Sequence, residues 1–146
     1  MLSESARMSS AAEAAFRIQA QPATSRTVTV AALDLESDRL VGRLAGHSWN
    51  GVTFFSASDL ARQVEAVAAA DLAVMVTSAG ADASAAALIG DACSRRRVPT
   101  ATFVVRAASA TEHALSQTLA QVRPWSLMVV IASDEDYVED ILRSFR

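Results

Sequence analysis

The side chains best suited to chemistry in this sequence stand just after apolar runs, at the points where a chain leaves a buried strand. Asp34 follows the first run, and Thr77, Ser78, Gly80, Asp82 and Ser84 follow the third in the stretch Thr77-Ser-Ala-Gly-Ala-Asp-Ala-Ser84. Arg106 and Asp134 stand after the fourth and fifth. Hydroxyls, loop amides and an arginine can hold an anion, most readily where a helix begins, because the first amides of a helix lack partners. Carboxylates in the same place repel phosphate unless a cation such as Mg²⁺ sits between them. These eight residues form the candidate binding crevice. No set of residues has the spacing of a catalytic group or a metal site.

The loops fail the stricter tests of phosphate chemistry. Ala31-Ala-Leu-Asp-Leu-Glu-Ser-Asp38 contains no glycine, whereas a dinucleotide loop needs glycines so that backbone can approach pyrophosphate. A phosphoacceptor site would place an aspartate after the third run and a lysine after the fifth. This chain has Thr77-Ser78 and Ser133 there, and no lysine anywhere. Asp82 or Ser84 is also read simply as the cap of the next helix. Cys93, the single cysteine, falls at helical spacing with Leu88, Ile89 and Ala92, which reads as a small core residue. Arg95-Arg-Arg97 would complement the end of that helix. His47 and His113 have no partner at recognisable spacing. Trp49 and Trp125 precede strands, at the edge of the sheet opposite the usual ligand face, where they would anchor loops or present an interaction surface.

What must position these residues is an alternation of buried strands and amphipathic helices. Near-continuous apolar runs at Thr27–Leu33, Val52–Ser56, Leu72–Thr77, Ala101–Arg106 and Leu127–Ala132 are the signature of strands covered on both faces. Apolar residues at intervals of three and four lie between them, and a last set is Val138, Ile141, Leu142 and Phe145. Ser109-Ala-Thr-Glu112 has the form of a capping box, and Ser133-Asp-Glu-Asp136 places carboxylates at a helix start. The pattern predicts an α/β fold: a Rossmann-like, doubly wound, mostly parallel five-stranded sheet with helices on both faces. Ligands of such sheets bind beyond the carboxyl ends of the strands, where the candidate residues stand. Residues 26–146 form one domain, preceded by a Ser/Ala-rich arm, 1–25, in which Ser10-Ala-Ala-Glu13 could open a short helix.

Composition narrows the function classes. Of 146 residues, 51% are hydrophobic, enough for a real core, and the net charge of −3 offers no basic face for nucleic acid. No apolar run reaches the length of a membrane span, and the first 25 residues lack the core of a secretory signal. One cysteine allows no internal disulfide, so a reducing cytoplasm is the expected compartment.

In order and spacing, three stretches resemble the N-terminal half of the FtsZ/tubulin superfamily, FtsZ in particular. Thr27–Leu33 with Asp38-Arg-Leu-Val-Gly-Arg and Asn50-Gly-Val-Thr-Phe-Phe-Ser-Ala-Ser-Asp59 is similar to the family's first strand, helix and second strand. Ala70–Gly80 resembles the strand entering the signature loop, and Val98–Val105 and Leu127–Asp134 the two strands after it. The resemblance implies a GTP-binding-type domain, yet the departures fall where GTP would sit. Acidic Ala32–Asp38 replaces a glycine-rich loop, and Gly80-Ala-Asp-Ala-Ser-Ala keeps one glycine and adds a carboxylate. The expectation is therefore a degenerate, non-catalytic FtsZ-like domain with no cofactor. It would act through a protein partner or by self-association as a homo-oligomer. The alternative is a small-molecule or nucleotide-binding domain, Mg-dependent in one form, that uses the same crevice.

Overall fold

Five apolar runs become five parallel strands because helices cover them from both sides. The computed structural model describes residues 26–145. In chain order the elements are β1 (Val28–Ala32), α1 (Leu35–Ala45), β2 (Val52–Phe55), α2 (Leu60–Val67), β3 (Leu72–Ser78), α3 (Ala85–Arg95), β4 (Thr100–Val105), α4 (Glu112–Val122), β5 (Met128–Ile131) and α5 (Asp136–Ser144). Short 3₁₀ turns occupy Ala57–Asp59, Ala107–Ser109 and Arg123–Trp125. The N-terminal arm, with its predicted helix, lies outside the described residues.

The strand order is β2-β1-β3-β4-β5, parallel throughout, with Val28 opposite Val52 and Leu72, Ala73 opposite Thr100, and Ala101 opposite Met128. This is the flavodoxin-like order of a doubly wound sheet, in which the chain reverses direction between β1 and β3. The α/β Rossmann-like class read from the sequence is the observed one. Because crossovers are right-handed, the one step to the left (β1 to β2) puts α1 on one face, and the steps to the right put α2, α3 and α4 on the other. Val30, Leu40, Val74, Phe103 and Leu142 fill the α1/α5 face. Ala31, Leu60, Met75, Ile89, Val104 and Val122 fill the α2/α3/α4 face. The central strands are buried on both sides, which is why β1, β3 and β4 read as unbroken apolar runs.

Helix starts follow local hydrogen bonding. Asp34 caps α1, its Oδ1 accepting the Ser37 N–H at 2.9 Å. The predicted box at Ser109 is displaced: Ser109 N–H bonds to Arg106 O (3.0 Å) inside a 3₁₀ turn, and Thr111 caps α4 by accepting from Ala114 N–H at 3.1 Å. Before α5, Asp134 accepts the Asp136 N–H at 2.9 Å.

Candidate functional site

The reversal between β1 and β3 opens a crevice in folds of this order. Here three of the candidate residues meet in it and bind one another. Asp34 leaves β1, and Thr77 and Ser78 end β3, with both hydroxyl residues buried. Asp34 Oδ2 accepts from Thr77 Oγ1 (2.8 Å), Ser78 N–H (3.0 Å) and Ser37 Oγ (3.1 Å), while its Oδ1 holds the cap bond to Ser37. Ser37 Oγ also lies 3.3 Å from Ser78 Oγ. One carboxylate thus takes four donors and laces the start of α1 to the end of β3. Among the described residues no buried side-chain polar atom is left without a partner.

The loop after β3 is closed in a second way. Gly80, at φ +88°, turns the chain, and its N–H donates to Thr118 Oγ1 at 2.9 Å. Thr118 Oγ1 in turn donates to Ala81 O at 3.1 Å. The Ala83 N–H donates to Gln121 Oε1 (2.7 Å), and the Ser84 N–H to Asp82 Oδ1 (2.9 Å). Gln121 Nε2 also reaches Asp82 Oδ1, at 3.1 Å. The bond from the Ser84 backbone holds the Asp82 carboxyl below its ordinary value of 3.8, helped by the Ser84 and Gln121 side chains. Ser84 begins α3 without a side-chain cap of its own; Asp82 caps the turn that leads into it. Loop amides that an anion would need already donate to side chains of α4 and to Asp82.

Arg106 and Asp134 stand apart from these groups. Arg106 follows β4 in the left-handed region (φ 60°, ψ 32°), a conformation that costs a side-chain-bearing residue about 1 kcal/mol or more. With Glu36, Arg39 and Glu135 it lines an open cleft of about 620 Å³ alongside α1. Arg43 and Glu135 form an ion pair across that cleft. Asp134 follows β5, the third strand from β1, and is exposed. The eight candidates therefore occupy separate places: Asp34, Thr77 and Ser78 at the β1/β3 crevice; Gly80, Asp82 and Ser84 under α4; Arg106 in the cleft; and Asp134 at the sheet edge. Among the described residues no three His, Cys, Asp or Glu side chains converge on a point that could hold a metal ion.

The sequence points to Ser37 beside Asp34 but not to the roles of Thr118 and Gln121. The available signal was polarity on the inward side of α4: Thr118 is buried between Leu115 and Leu119, where an apolar residue would otherwise pack. His47 has a partner after all, Glu139 Oε1 at 3.0 Å, in a contact that spans 92 positions. Arg143 bonds to the same carboxyl group (2.9 Å) and lies 4.2 Å from the centre of the Trp49 ring. Its guanidinium, with a smaller contribution from His47, holds Glu139 below the ordinary 4.5. These four residues tie α5 to the α1–β2 loop. Cys93 is buried, as its helical spacing predicts, and burial raises its thiol from 9.0 to about 11, against a small opposing pull from Arg96.

No family model matches the sequence. No curated protein matches it either. Among solved structures, the chain is similar to translation elongation factor SelB from Methanococcus maripaludis in its apo form, with a TM-score of 0.54 and 10% identity over 82% of this chain and 33% of that one. The same factor in complex with the GTP analogue GppNHp gives a TM-score of 0.49 at 9% identity. This chain thus spans about a third of the length of the SelB chains it matches. The FtsZ/tubulin resemblance is overturned: the structural likeness is to SelB, not to FtsZ or tubulin. The strand patterns that carried the resemblance are shared by any parallel sheet buried on both faces, so their order alone did not discriminate. At 10% identity the likeness to SelB establishes the fold, a five-stranded parallel Rossmann-like α/β domain.

Proposed function

We propose that this chain is a non-catalytic α/β domain that has no nucleotide phosphate site and acts through protein contacts. One observation carries the reading: the amides after β3 donate to Thr118, Gln121 and Asp82, so an anion would have to displace three internal acceptors. Each exchange would trade a satisfied bond for another and bring phosphate beside the Asp82 carboxylate, which offers no net gain. Asp34 makes the β1/β3 crevice equally unreceptive, since its negative charge is held where phosphate would enter.

The test is thermal unfolding during titration with GTP, GDP and their Mg²⁺ complexes. Any ligand that binds only the folded state raises the melting temperature, so a flat response is expected. A saturable rise would overturn the reading in favour of a nucleotide-binding domain.

A second reading rests on the cleft beside α1, where Arg39 and Arg106 face open space of about 620 Å³. It makes the domain a receptor for a small anionic molecule held by guanidinium groups. Arg106→Ala would then abolish anion-induced stabilisation, whereas under the protein-contact reading the wild-type protein shows none to abolish.

A further inference from the structure

We propose that residues 11–19 of this chain dock as a short helix in the groove between β2 and the end of α2, so that the domain carries its own N-terminal arm on that face. β2 is the outer strand on this side of the sheet. α2 spans eight residues, and its last carbonyl, Val67 O, accepts from Thr29 Oγ1 of β1 at 2.6 Å. That bond seats the helix end over β1 and leaves β2 incompletely covered. Thr53 and Phe55, paired with Thr29 and Ala31, remain exposed and half-buried respectively. The result is a groove of about 360 Å³. Gly51, Thr53 and Phe55 form one wall and Ala66, Ala69 and Ala70 the other, and no charged side chain lines it. Uncharged walls around one aromatic ring suit an apolar occupant and offer nothing to an ionic ligand.

The chain itself supplies that occupant, because it enters the fold at the groove. Thr27 lines the groove and is fixed there: its N–H donates to Asp71 Oδ2 at 2.8 Å, and the next one, of Val28, donates to Gly51 O at 2.8 Å. Residue 26 therefore leads in at the Gly51 end. In the sequence before it, Ser10-Ala-Ala-Glu13 has the form of a capping box, and Pro22 limits how far a helix can run. At 100° per residue, Ala11, Ala12, Ala15 and Ile18 fall on one side of such a helix, with Phe16 at its flank. Glu13 and Arg17 fall on the other side, four positions apart, where they support the helix and face solvent.

Lengths agree as well. From Gly51 to Phe55 the groove runs about 13 Å along β2, and residues 11–19 span about 12 Å as a helix. Residues 20–26 reach about 23 Å when extended, so the helix can lie in either direction along the groove. A tether this short keeps the arm at an effective concentration in the millimolar range. A modest buried area is then enough to hold it, and any separate partner for this face would have to displace it.

The test is amide hydrogen exchange of the full chain, read residue by residue, with the mass of the same samples measured by sedimentation. A helix this short is marginal in water by itself, so protection of its amides reports docking. In a monomer, the amides of residues 15–19 should exchange about tenfold or more slower than in an unstructured peptide of the same sequence. Ala15→Asp and Ala66→Glu should each return them to the open-chain rate, because each puts an unpaired carboxylate into the groove. Arg17→Gln, on the outward side, should leave them slow. Ala66 is exposed on α2, where glutamate suits a helix, and continued protection of β1, β3 and β4 separates lost docking from unfolding. Ala15 lies outside the five-stranded domain, so that variant keeps the test decisive even where Ala66→Glu disturbs α2. Open-chain exchange of residues 15–19 in the wild-type protein would overturn the proposal. Protection that survives Ala66→Glu in an intact fold would overturn it too, because the helix would then rest elsewhere. So would protection that rises with protein concentration together with a doubled mass, since the arm would then lie on a second copy.

Discussion

Asp34 shows how much a single side chain decides here. It follows β1, caps α1 and receives the Thr77 hydroxyl and the Ser78 amide from β3, so two elements depend on one carboxylate. Removing it strips α1 of its cap, worth about 1 kcal/mol, and leaves the buried Thr77 hydroxyl and Ser78 amide without an acceptor, at about 1–3 kcal/mol more. Asp34→Ala should therefore lower unfolding free energy by about 2–4 kcal/mol in urea titrations. Asp34→Asn, which keeps an acceptor oxygen and a good cap, should fall between that variant and wild type. A loss below about 0.5 kcal/mol for the alanine variant would mean that the network contributes nothing. The sequence marks Asp34 and Thr77–Ser78 as belonging to one crevice, because both follow strands that a doubly wound sheet sets side by side. It does not reveal that they satisfy each other, since the donors and the acceptor lie more than 40 positions apart.

Elements were legible wherever burial on two faces left no choice of residue. Each observed strand lies within one residue of the run that predicted it, because β1, β3 and β4 have no exposed face on which polar residues could interrupt the pattern. Helix starts were less legible. Ser109 and Thr111 are both capping residues, and only the 3₁₀ turn after the left-handed Arg106 decides between them. Gly90, inside α3, gave no reason for its presence, since glycine in a helix interior costs about 1 kcal/mol relative to alanine. The structure supplies the reason: a methyl group built at Gly90 would come within 2.8 Å of the Trp125 ring, which packs directly on the helix backbone. Gly90→Ala should accordingly destabilise the protein by about 1–3 kcal/mol through overpacking, rather than stabilise it by helix propensity. Chemical denaturation of the single variant decides the sign, and a gain in stability would show that Trp125 yields easily.

At the scale of the whole molecule, the class of fold was legible and its kinship was not. Alternating buried strands and amphipathic helices can be wound only a few ways once right-handed crossovers are required, but many unrelated proteins satisfy the same pattern. The sequence shows that the loop after β3 keeps one glycine and that the chain has no lysine; the α4 side chains that accept the amides of that loop become visible only when the helices are packed. Packing also makes global stability depend on pH through a group with no visible chemistry. Cys93 lies in the core between α3 and the sheet, and burial raises its thiol from 9.0 to about 11. The unfolded chain thus releases this proton more readily than the folded one. The native state keeps its full stability below pH 9.0 and loses it progressively as pH rises towards 11. Two pH units correspond to about 2–3 kcal/mol by the time both states have ionised. The informative quantity is the difference between wild type and Cys93→Ala, because it cancels every other alkaline effect common to both. The alanine variant should start less stable by about 1 kcal/mol near neutral pH, from the small cavity it leaves. It should then lose less stability between pH 9 and 11, so that the two curves of unfolding free energy against pH converge and cross. Parallel curves over that interval would show that Cys93 reaches solvent in the native state, and that the core on the α2/α3/α4 face opens more readily than its packing implies.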